Sequence, residues 1–294
     1  MSAGSPCLLG ITYDPERHDE LMAAADIDVL EIKHLELAEP LAREARERFK
    51  DVSLHVQYVA PDGEPLTLNL ANPRIASNLR DPDCIVYRAA AALKPSWISF
   101  HCGFASEEIG VEGTDRHNVA RGPILSFDET LRRLAAALTT ATGQLAKILA
   151  GRDWTLLVEN LDHQSSAYDH VVEPRFIKGL CQQTDARLLL DTAHVGITAH
   201  NLGYPDPRAY LRGLEGVPVA EVHLCAPTID AAGLWTDDLQ PFTAMESMAQ
   251  MLESVLRLPP RAAGAPLLIT FECTRRLPEQ IARVRALIGG ARDA

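Results

Sequence analysis

The segment TLLVENLDHQSSAYDHVVEPRFIKGLCQQTDARLLLD, residues 155–191, contains the pattern that decides the fold. Its two ends, Thr155–Glu159 and Arg187–Asp191, are short apolar runs of strand length, and each closes on a carboxylate. Between them lie a polar loop and an amphipathic run, Phe176–Thr184, which predicts a short helix. Strands that alternate with helices pair in parallel, because the helix returns the chain to the same end of the sheet. The segment therefore predicts one β/α unit.

The same alternation extends along the chain in both directions. Eight β-like runs occur, at Cys7–Tyr13, Val29–His34, Val52–Tyr58, Trp97–Phe104, Thr155–Glu159, Arg187–Asp191, Val219–Leu224 and Leu267–Glu272. A helical run follows each of them, at Pro15–Asp26, Leu37–Lys50, Ile75–Leu93, Glu129–Gly151, Phe176–Thr184, Pro207–Leu214, Phe242–Leu258 and Leu277–Ile288. Eight such units close a (β/α)8 barrel, which typically needs about 250 residues. We therefore expect an α/β fold, a single TIM-barrel domain over residues 1–294.

Loops and helix ends follow from local composition. The polar segments Val59–Pro73 and Ala105–Ser126 are predicted to be long loops, and Asp128 is predicted to cap the helix that begins at Glu129. An open doubly wound sheet is the alternative fold for this pattern. Such a sheet usually carries a glycine-rich phosphate-binding turn after an early strand. The chain has no such turn, so the closed barrel is favoured.

Composition narrows the classes of function and location. The formal net charge is -12, which argues against nucleic acid as a partner because an acidic surface repels phosphates. No stretch approaches the roughly 20 apolar residues of a membrane span, and Met1–Pro6 lacks the basic and apolar regions of a signal peptide. The six cysteines are scattered without a CxxC pair, which is typical of reduced thiols. We expect a cytoplasmic protein that binds neither nucleic acid nor membrane.

Chemistry-bearing residues follow the predicted strands at their carboxyl ends, where TIM-barrel active sites lie. A single strand-end histidine or carboxylate is usually structural, but here six of the eight strands carry one. Imidazole and carboxylate are ligands of iron, manganese, zinc and cobalt. Folding alone does not require them at the end of an apolar strand, because an unpaired buried charge costs several kcal/mol of stability. The joint pattern predicts a divalent metal site. The candidate ligands are His55, His101, Glu159, Asp191, His194, His223 and Glu272, with Glu159, Asp191, His223 and Glu272 the strongest.

Other residues on the same face have a structural interpretation that is favoured over a functional one. Asp237 and Asp238 follow the seventh strand and are expected to be solvated or to cap a helix, although a ligand or general base is the alternative. His163, His170 and His200 are expected to be surface residues. Three cysteines stand beside candidate ligands and are expected to be small apolar filler. Alternation directs Cys102 and Cys273 away from the lumen, whereas Cys225 shares the parity of His223.

The site residues resemble a broad superfamily of barrels. Its pattern is a Glu after strand five, Asp-x-x-His after strand six, a His in strand seven and a Glu ending strand eight. Here these are Glu159, Asp191 with His194, His223 and Glu272. The pattern is similar to that of the xylose-isomerase-like barrels, which include sugar isomerases, epimerases and endonuclease IV.

A narrower resemblance covers most of the chain in order. LLLDTAHVGITAHNLGYPDPRAYLRGL (188–214), VAEVHLCAP (219–227), LLVENLDH (156–163) and ISFHCGF (98–104) resemble segments of the multinuclear non-heme iron-dependent oxidative enzymes, which modify ribosomally made peptides. The chain departs from that family at Thr192–His194, where Asn is common. It departs again at Pro227, where a second His is common. These departures bring the pattern closer to the isomerases.

The resemblance implies iron, a cysteine-containing peptide or related small substrate, and a small protein that delivers it. Glu159, Asp191, His223 and Glu272 would bind Fe(II), extended by His101, His55 and His194. The alternative is a sugar isomerase or epimerase that uses manganese, magnesium, zinc or cobalt, in which Glu159 and Glu272 transfer a proton. The predicted catalytic residues are Glu159, Glu272 and His194. Phosphodiester hydrolysis and an inactive binding barrel are less favoured, and a homodimer is an open alternative.

Overall fold

The computed structural model describes residues 7–59, 66–112, 117–229, 233, 235–257 and 265–293. Within them, eight parallel strands form a closed barrel in which every strand pairs with its neighbours in the chain and the first pairs with the last. The strands are β1 (Cys7–Thr12), β2 (Val29–Ile32), β3 (Asp51–Val56), β4 (Trp97–Phe100), β5 (Thr155–Glu159), β6 (Arg187–Asp191), β7 (Val219–Leu224) and β8 (Leu267–Phe271). The predicted (β/α)8 barrel is confirmed.

Helices surround the barrel and cover its outer face. They are α1 (His18–Met22), α2 (Ala38–Arg48), α3 (Pro73–Asn78), α4 (Ile85–Leu93), α5 (Phe127–Ile148), α6 (Pro174–Thr184), α7 (Thr192–Asn201), α8 (Pro207–Gly213), α9 (Glu246–Leu256) and α10 (Leu277–Asp293). Outward-facing strand residues such as Leu54 and Leu190 pack into one apolar core with the helices. Among the described residues, no helix combines the length and apolar character needed to cross a bilayer.

Two local predictions about helices were wrong. The expected single helix Ile75–Leu93 is two helices, α3 and α4. Pro82 stands between them; it has no N–H to donate, and it disfavours helical geometry at the residue before it. The cap of α5 is Ser126, whose Oγ accepts from the backbone N–H of Glu129 at 3.3 Å, and not Asp128.

Helix α7 was not predicted at all. It begins directly after β6, and the Asp191 side chain caps it by accepting from the N–H of His194 at 2.7 Å. Residues 192–199 are all buried. A helix that is buried on every side shows no apolar stripe, so its sequence carries no amphipathic signal.

Three antiparallel hairpins extend the loops on the carboxyl side of the barrel. They pair Tyr58–Val59 with Leu66–Thr67, Ile109–Glu112 with His117–Ala120, and Ala226–Ile229 with Trp235–Gln240. They follow β3, β4 and β7, so they all lie on the side where the strands end. The predicted loops Val59–Pro73 and Ala105–Ser126 thus contain short strands; residues 60–65 and 113–116 lie outside the described ranges.

A bulge between β6 and β7 changes which residues face the lumen. Leu188 pairs with Val219 but the next residue, Leu189, pairs with Glu221, so Ala220 is an extra residue in β7. Ala220 belongs to the small apolar cluster inside the barrel. After the bulge, Glu221 and His223 also contact residues of the lumen.

Candidate metal centre

The lumen becomes charged toward the carboxyl ends of the strands. All seven side chains that the sequence offered as ligands meet there. Most are completely or almost completely buried. Five carboxyl groups share this space: Glu31, Glu159, Asp191, Glu221 and Glu272.

Glu159, the last residue of β5, lies at the centre of the group. Its Oε2 atom is 2.6 Å from His101 Nε2 and 3.3 Å from His55 Nε2. Its Oε1 atom is 3.3 Å from His194 Nδ1 and 3.9 Å from His223 Nδ1. The two oxygens of one carboxylate therefore face two different pairs of imidazoles.

Asp191 and Glu272 form the opposite wall with His223. His223 Nδ1 is 3.2 Å from Glu272 Oε1 and 3.9 Å from Asp191 Oδ2. Cys225 lies against both carboxyl groups, with its Sγ 3.1 Å from Glu272 Oε2 and 3.7 Å from Asp191 Oδ2. The Lys33 ammonium forms an ion pair with Glu272.

His194 is held by backbone and carboxylate partners. Its Nδ1 is 2.9 Å from the carbonyl oxygen of Asn160, and its Nε2 is 3.5 Å from Asp237 Oδ2. Asn160 also exchanges two hydrogen bonds with the backbone of Asp191, at 2.9 and 3.1 Å. The ends of β5 and β6 are thereby joined. Asp237 is exposed, as expected, but it lies in a hairpin strand and its carboxylate faces His194. The side chain of Asp238 lies outside the description.

Sequence reasoning missed three residues of this group, Glu31, Lys33 and Glu221, and favoured a filler role for Cys225. Glu31 Oε2 is 2.8 Å from His223 Nε2, and Glu221 Oε1 is 3.6 Å from the same atom. Lys33 contacts Glu272, and Cys225, which was expected to be filler, contacts two carboxyl groups. A signal existed for two of them, because Glu31 and Lys33 alternate with Val29 along β2 and so share its inward face.

The donor atoms fit a bound cation. Three fully buried polar atoms, His55 Nε2, Glu159 Oε2 and His223 Nδ1, form no hydrogen bond of normal geometry, although an oppositely charged or ionisable group lies within 3.3 Å of each. Buried polar atoms normally form such bonds. Within the described residues, four overlapping trios place their donor atoms within 4.8 Å of one another. The trios are Glu31–His55–His223, His55–His101–Glu159, Glu159–Asp191–His223 and Asp191–Cys225–Glu272.

The carboxyl groups of the lumen differ in the direction in which their pKa values are shifted. Burial opposes the charge of Glu159, but His101 and His55 outweigh it and hold the pKa of this carboxyl well below its usual range. The pKa of Glu272 is also low despite burial, because of Lys33 and His223. Burial raises the pKa of Asp191 well above its ordinary value. A divalent metal bound beside Asp191 would favour the ionised form of its carboxyl group.

The remaining sequence candidates have partners elsewhere. His163 Nε2 is 3.5 Å from Asp169 Oδ1. His170 Nε2 is 3.0 Å from Thr130 Oγ1. The ring of His200 stacks on Trp235 with centroids 4.9 Å apart. His200 is exposed, as expected, but it lies in α7, whereas His163 and His170 are half-buried.

Comparison with known proteins identifies the family of the chain. A family model described as RiPP precursor modification enzyme MbnB/TglH/ChrH matches residues 9–262. A UPF0276 protein of Caulobacter vibrioides is 29% identical over 136 residues, which are 46% of this chain and 44% of that protein. A UPF0276 protein of Pseudomonas aeruginosa is 26% identical over 115 residues, 39% of this chain and 38% of that protein. The matches span less than half the length of these relatives.

Solved structures with the same fold are xylose-isomerase-like barrels. D-psicose 3-epimerase from Clostridium cellulolyticum H10 superposes with a TM-score of 0.53 at 11% identity and 97% coverage of both chains. A xylose isomerase domain protein from Planctomyces limnophilus gives 0.55 at 13% identity, covering 99% of this chain and 98% of its own. An AP endonuclease of family 2 from Brucella melitensis gives 0.55 at 16%, covering 92% and 94%. At these identities the likeness concerns the fold.

Proposed function

This chain belongs to the RiPP precursor modification enzyme MbnB/TglH/ChrH family, and from that premise we propose that it is a metal-dependent oxidoreductase acting on a ribosomally synthesised peptide. The proposed metal is iron, and the proposed substrate is a cysteine-containing peptide or a related small molecule. The observation that carries the proposal is the position of Glu159, whose two oxygens face two different pairs of imidazoles. A carboxylate placed in this way is suited to join two metal ions.

The overlapping trios suggest how the ions are shared. His55, His101 and Glu159 would hold one ion, and Glu159, Asp191 and His223 would hold a second. Glu272 would complete the wall next to Asp191. Bound iron supplies one-electron oxidation by dioxygen, which protein side chains cannot perform by themselves.

His194 is the residue best placed to move a proton. The Asn160 carbonyl accepts from its Nδ1, which leaves Nε2 directed toward Asp237. Burial lowers the pKa of His194, but Asp191 and Asp237 outweigh it and raise the pKa well above its ordinary value. The Nε2 atom of His194 therefore faces a carboxylate with which it can exchange a proton. The same atom would bind a metal, so the two predicted roles of His194 exclude one another at any one time.

A peptide substrate is supported by the rim of the barrel. Three hairpins follow β3, β4 and β7 on the side where the site lies. They carry exposed large apolar side chains, which a peptide passing over the rim could contact. These side chains are Tyr58, Val111, Ile229 and Leu239. A small protein that delivers the peptide stays a prediction.

The alternative, a sugar isomerase or epimerase, needs one of Glu159 and Glu272 as general base and the other as general acid. Both carboxyls have a lowered pKa, and Glu272 is paired with Lys33. A carboxyl that is already ionised is a poor general acid. Ionised carboxylates suit the general base of that reaction but do not supply its general acid.

Metal content provides the test. The protein would be purified without oxygen, its metals measured by elemental analysis, and its optical spectrum recorded before and after air. We expect two or more irons per chain and bands that change on oxidation. One redox-silent manganese, zinc or magnesium, lost in the Glu159→Gln and Glu272→Gln variants, would favour the isomerase. No metal, and none taken up on reconstitution, would overturn the metal-dependent proposal altogether.

A further inference from the structure

We propose that Cys225 is a sulfur ligand of the metal centre, beside Asp191 and Glu272. One metal ion would then be held by oxygen, nitrogen and sulfur donors together. This inference rests on the proposed metal centre. It adds a cysteine to a set of ligands that otherwise consists of histidines and carboxylates.

The position of Cys225 follows from the strand that precedes it. It comes directly after β7 and shares the parity of Glu221 and His223, which face the lumen. The side chain is completely buried. Its Sγ is 3.1 Å from Glu272 Oε2 and 3.7 Å from Asp191 Oδ2. The thiol therefore contacts the carboxyl groups of Asp191 and Glu272. Carboxylates of this kind commonly bind metal ions.

An independent observation directs a further donor to the same point. His223 Nδ1 is fully buried and forms no hydrogen bond of normal geometry. It is 3.2 Å from Glu272 Oε1 and 3.9 Å from Asp191 Oδ2. Since a buried ring nitrogen without a partner is costly, a cation between these groups would explain the orientation of His223. Cys225 lies on the edge of that same space.

Other buried thiols of the chain behave differently. Cys84 Sγ donates to the amide oxygen of Asn78 at 3.1 Å, and Cys102 Sγ donates to the carbonyl of Phe100 at 3.5 Å. Both contacts are those of a structural thiol that satisfies a neutral acceptor. Cys181, within α6, packs in the apolar core outside the barrel. Cys181 is thus a matched buried cysteine away from the carboxylates.

A sulfur ligand has a consequence for the choice of metal. Thiolate favours soft and borderline ions such as zinc, iron, cobalt and copper over magnesium and calcium. The Cys225 ligand would therefore bias the centre away from the hard ions on which simple proton-transfer enzymes often rely.

X-ray absorption spectroscopy on zinc-loaded protein tests the assignment without reference to activity. The metal-free protein would be reconstituted with zinc alone, as wild type, Cys225→Ser and Cys181→Ser. We expect a zinc–sulfur distance of about 2.3 Å in the wild type and in Cys181→Ser, beside nitrogen and oxygen donors at about 2.0–2.2 Å. We expect the sulfur signal to be absent from Cys225→Ser. Cobalt-loaded samples should show the same difference as a sulfur-to-metal charge-transfer band.

The outcomes separate the two proposals. Full zinc occupancy with only nitrogen and oxygen donors in the wild type would overturn the role of Cys225 and leave the metal centre standing. A sulfur signal that persists in Cys225→Ser would also overturn it. Failure of the wild type to bind zinc or cobalt would instead contradict the proposed metal centre itself, and the inference about Cys225 would fall with it.

Discussion

The two halves of the barrel lumen are built by the same strands and have opposite chemistry. Toward the start of the strands, the lumen is filled by Val29, Trp97, Leu157, Leu189, Ala220 and Leu268. Two positions further along, Leu157 is followed by Glu159 and Leu189 by Asp191, on the same face of each strand. One face of one strand therefore supplies an apolar layer first and a charged layer next.

The residues that stabilise the barrel and the residues proposed to bind the metal are therefore only two positions apart on the same face of a strand. The apolar layer gains free energy by leaving water, whereas the charged layer costs free energy unless its groups are paired or bind a cation. Changes in the two layers should therefore affect different measurements. The predictions below test that separation.

The largest effect is expected from Glu159→Gln in the charged layer. The change keeps the shape of the side chain but removes the carboxylate that faces both pairs of imidazoles. Metal affinity should fall by at least about 100-fold, since residues that merely orient ligands contribute about 10–100-fold. Competition with a chromophoric chelator would measure it. Glu129→Gln, on the surface of α5, is the control, and equal affinity in the two variants would contradict the prediction.

In the apolar layer, Leu189→Ala should lower the free energy of unfolding and leave the metal stoichiometry unchanged. Leu189 is completely buried inside the barrel, so its truncation should cost about 2–5 kcal/mol. Urea unfolding with a chelator present measures the loss, and metal stoichiometry in the folded variant should be unchanged. The control Leu202→Ala removes a side chain of a residue that is 42% exposed and should cost less than about 0.5 kcal/mol. Loss of metal sites in Leu189→Ala would show that the layers are not separable.

The metal-free protein should lose stability in acid through Glu31. Burial opposes the charge of Glu31, but His223 lowers its pKa from 4.5 to about 2. Its contribution, about 3 kcal/mol for a shift of this size, is therefore present above pH 4.5 and is lost as the pH falls toward 2. His223 adds no slope there, because its ordinary pKa is 6.5 and its folded pKa is higher. Urea unfolding in chelator across this range should show a flatter acid limb for Glu31→Gln; an unchanged slope would refute the assignment.

The smallest effect is expected between the two layers. Thr270 stands between Leu268 and Glu272 on β8 and donates to Glu221 Oε1 at 2.7 Å. Thr270→Val keeps the shape and removes the donor, which should cost about 1–3 kcal/mol of unfolding free energy. Thr140→Val, on the exposed side of α5, is the matched control. Equal stability of the two variants in urea would place Thr270 energetically with the apolar layer.

Much of the barrel was predictable because its signals are local. The apolar runs that end in Glu159 and Asp191 carry strand length, apolar content and a terminal carboxylate in the sequence itself. The carboxyl ends of parallel strands all meet at one mouth, so strand-end residues could be grouped before any contact was known. The segment Leu188–Pro227 pointed to the family that the comparison confirms.

The parts that were missed depend on partners far away in the chain. Helix α7 has no amphipathic stripe because it is covered on every side. The ion pair between Lys33 and Glu272 joins residues 239 positions apart, and it exists only because the barrel closes. The bulge at Ala220 results from the register between β6 and β7, which no periodicity within β7 reveals.

By itself, the sequence determined the eight-unit alternation, the charged strand ends and the family, because these are properties of short windows along the chain. Tertiary structure alone decided that Glu159 faces two pairs of imidazoles, that Glu31 and Lys33 join the group, and that Cys225 lies against two carboxyls. Those facts depend on strand register, barrel closure and the direction of each side chain. Strand register, barrel closure and side-chain direction are set only when the whole barrel packs, because they depend on contacts between residues that are distant in the chain.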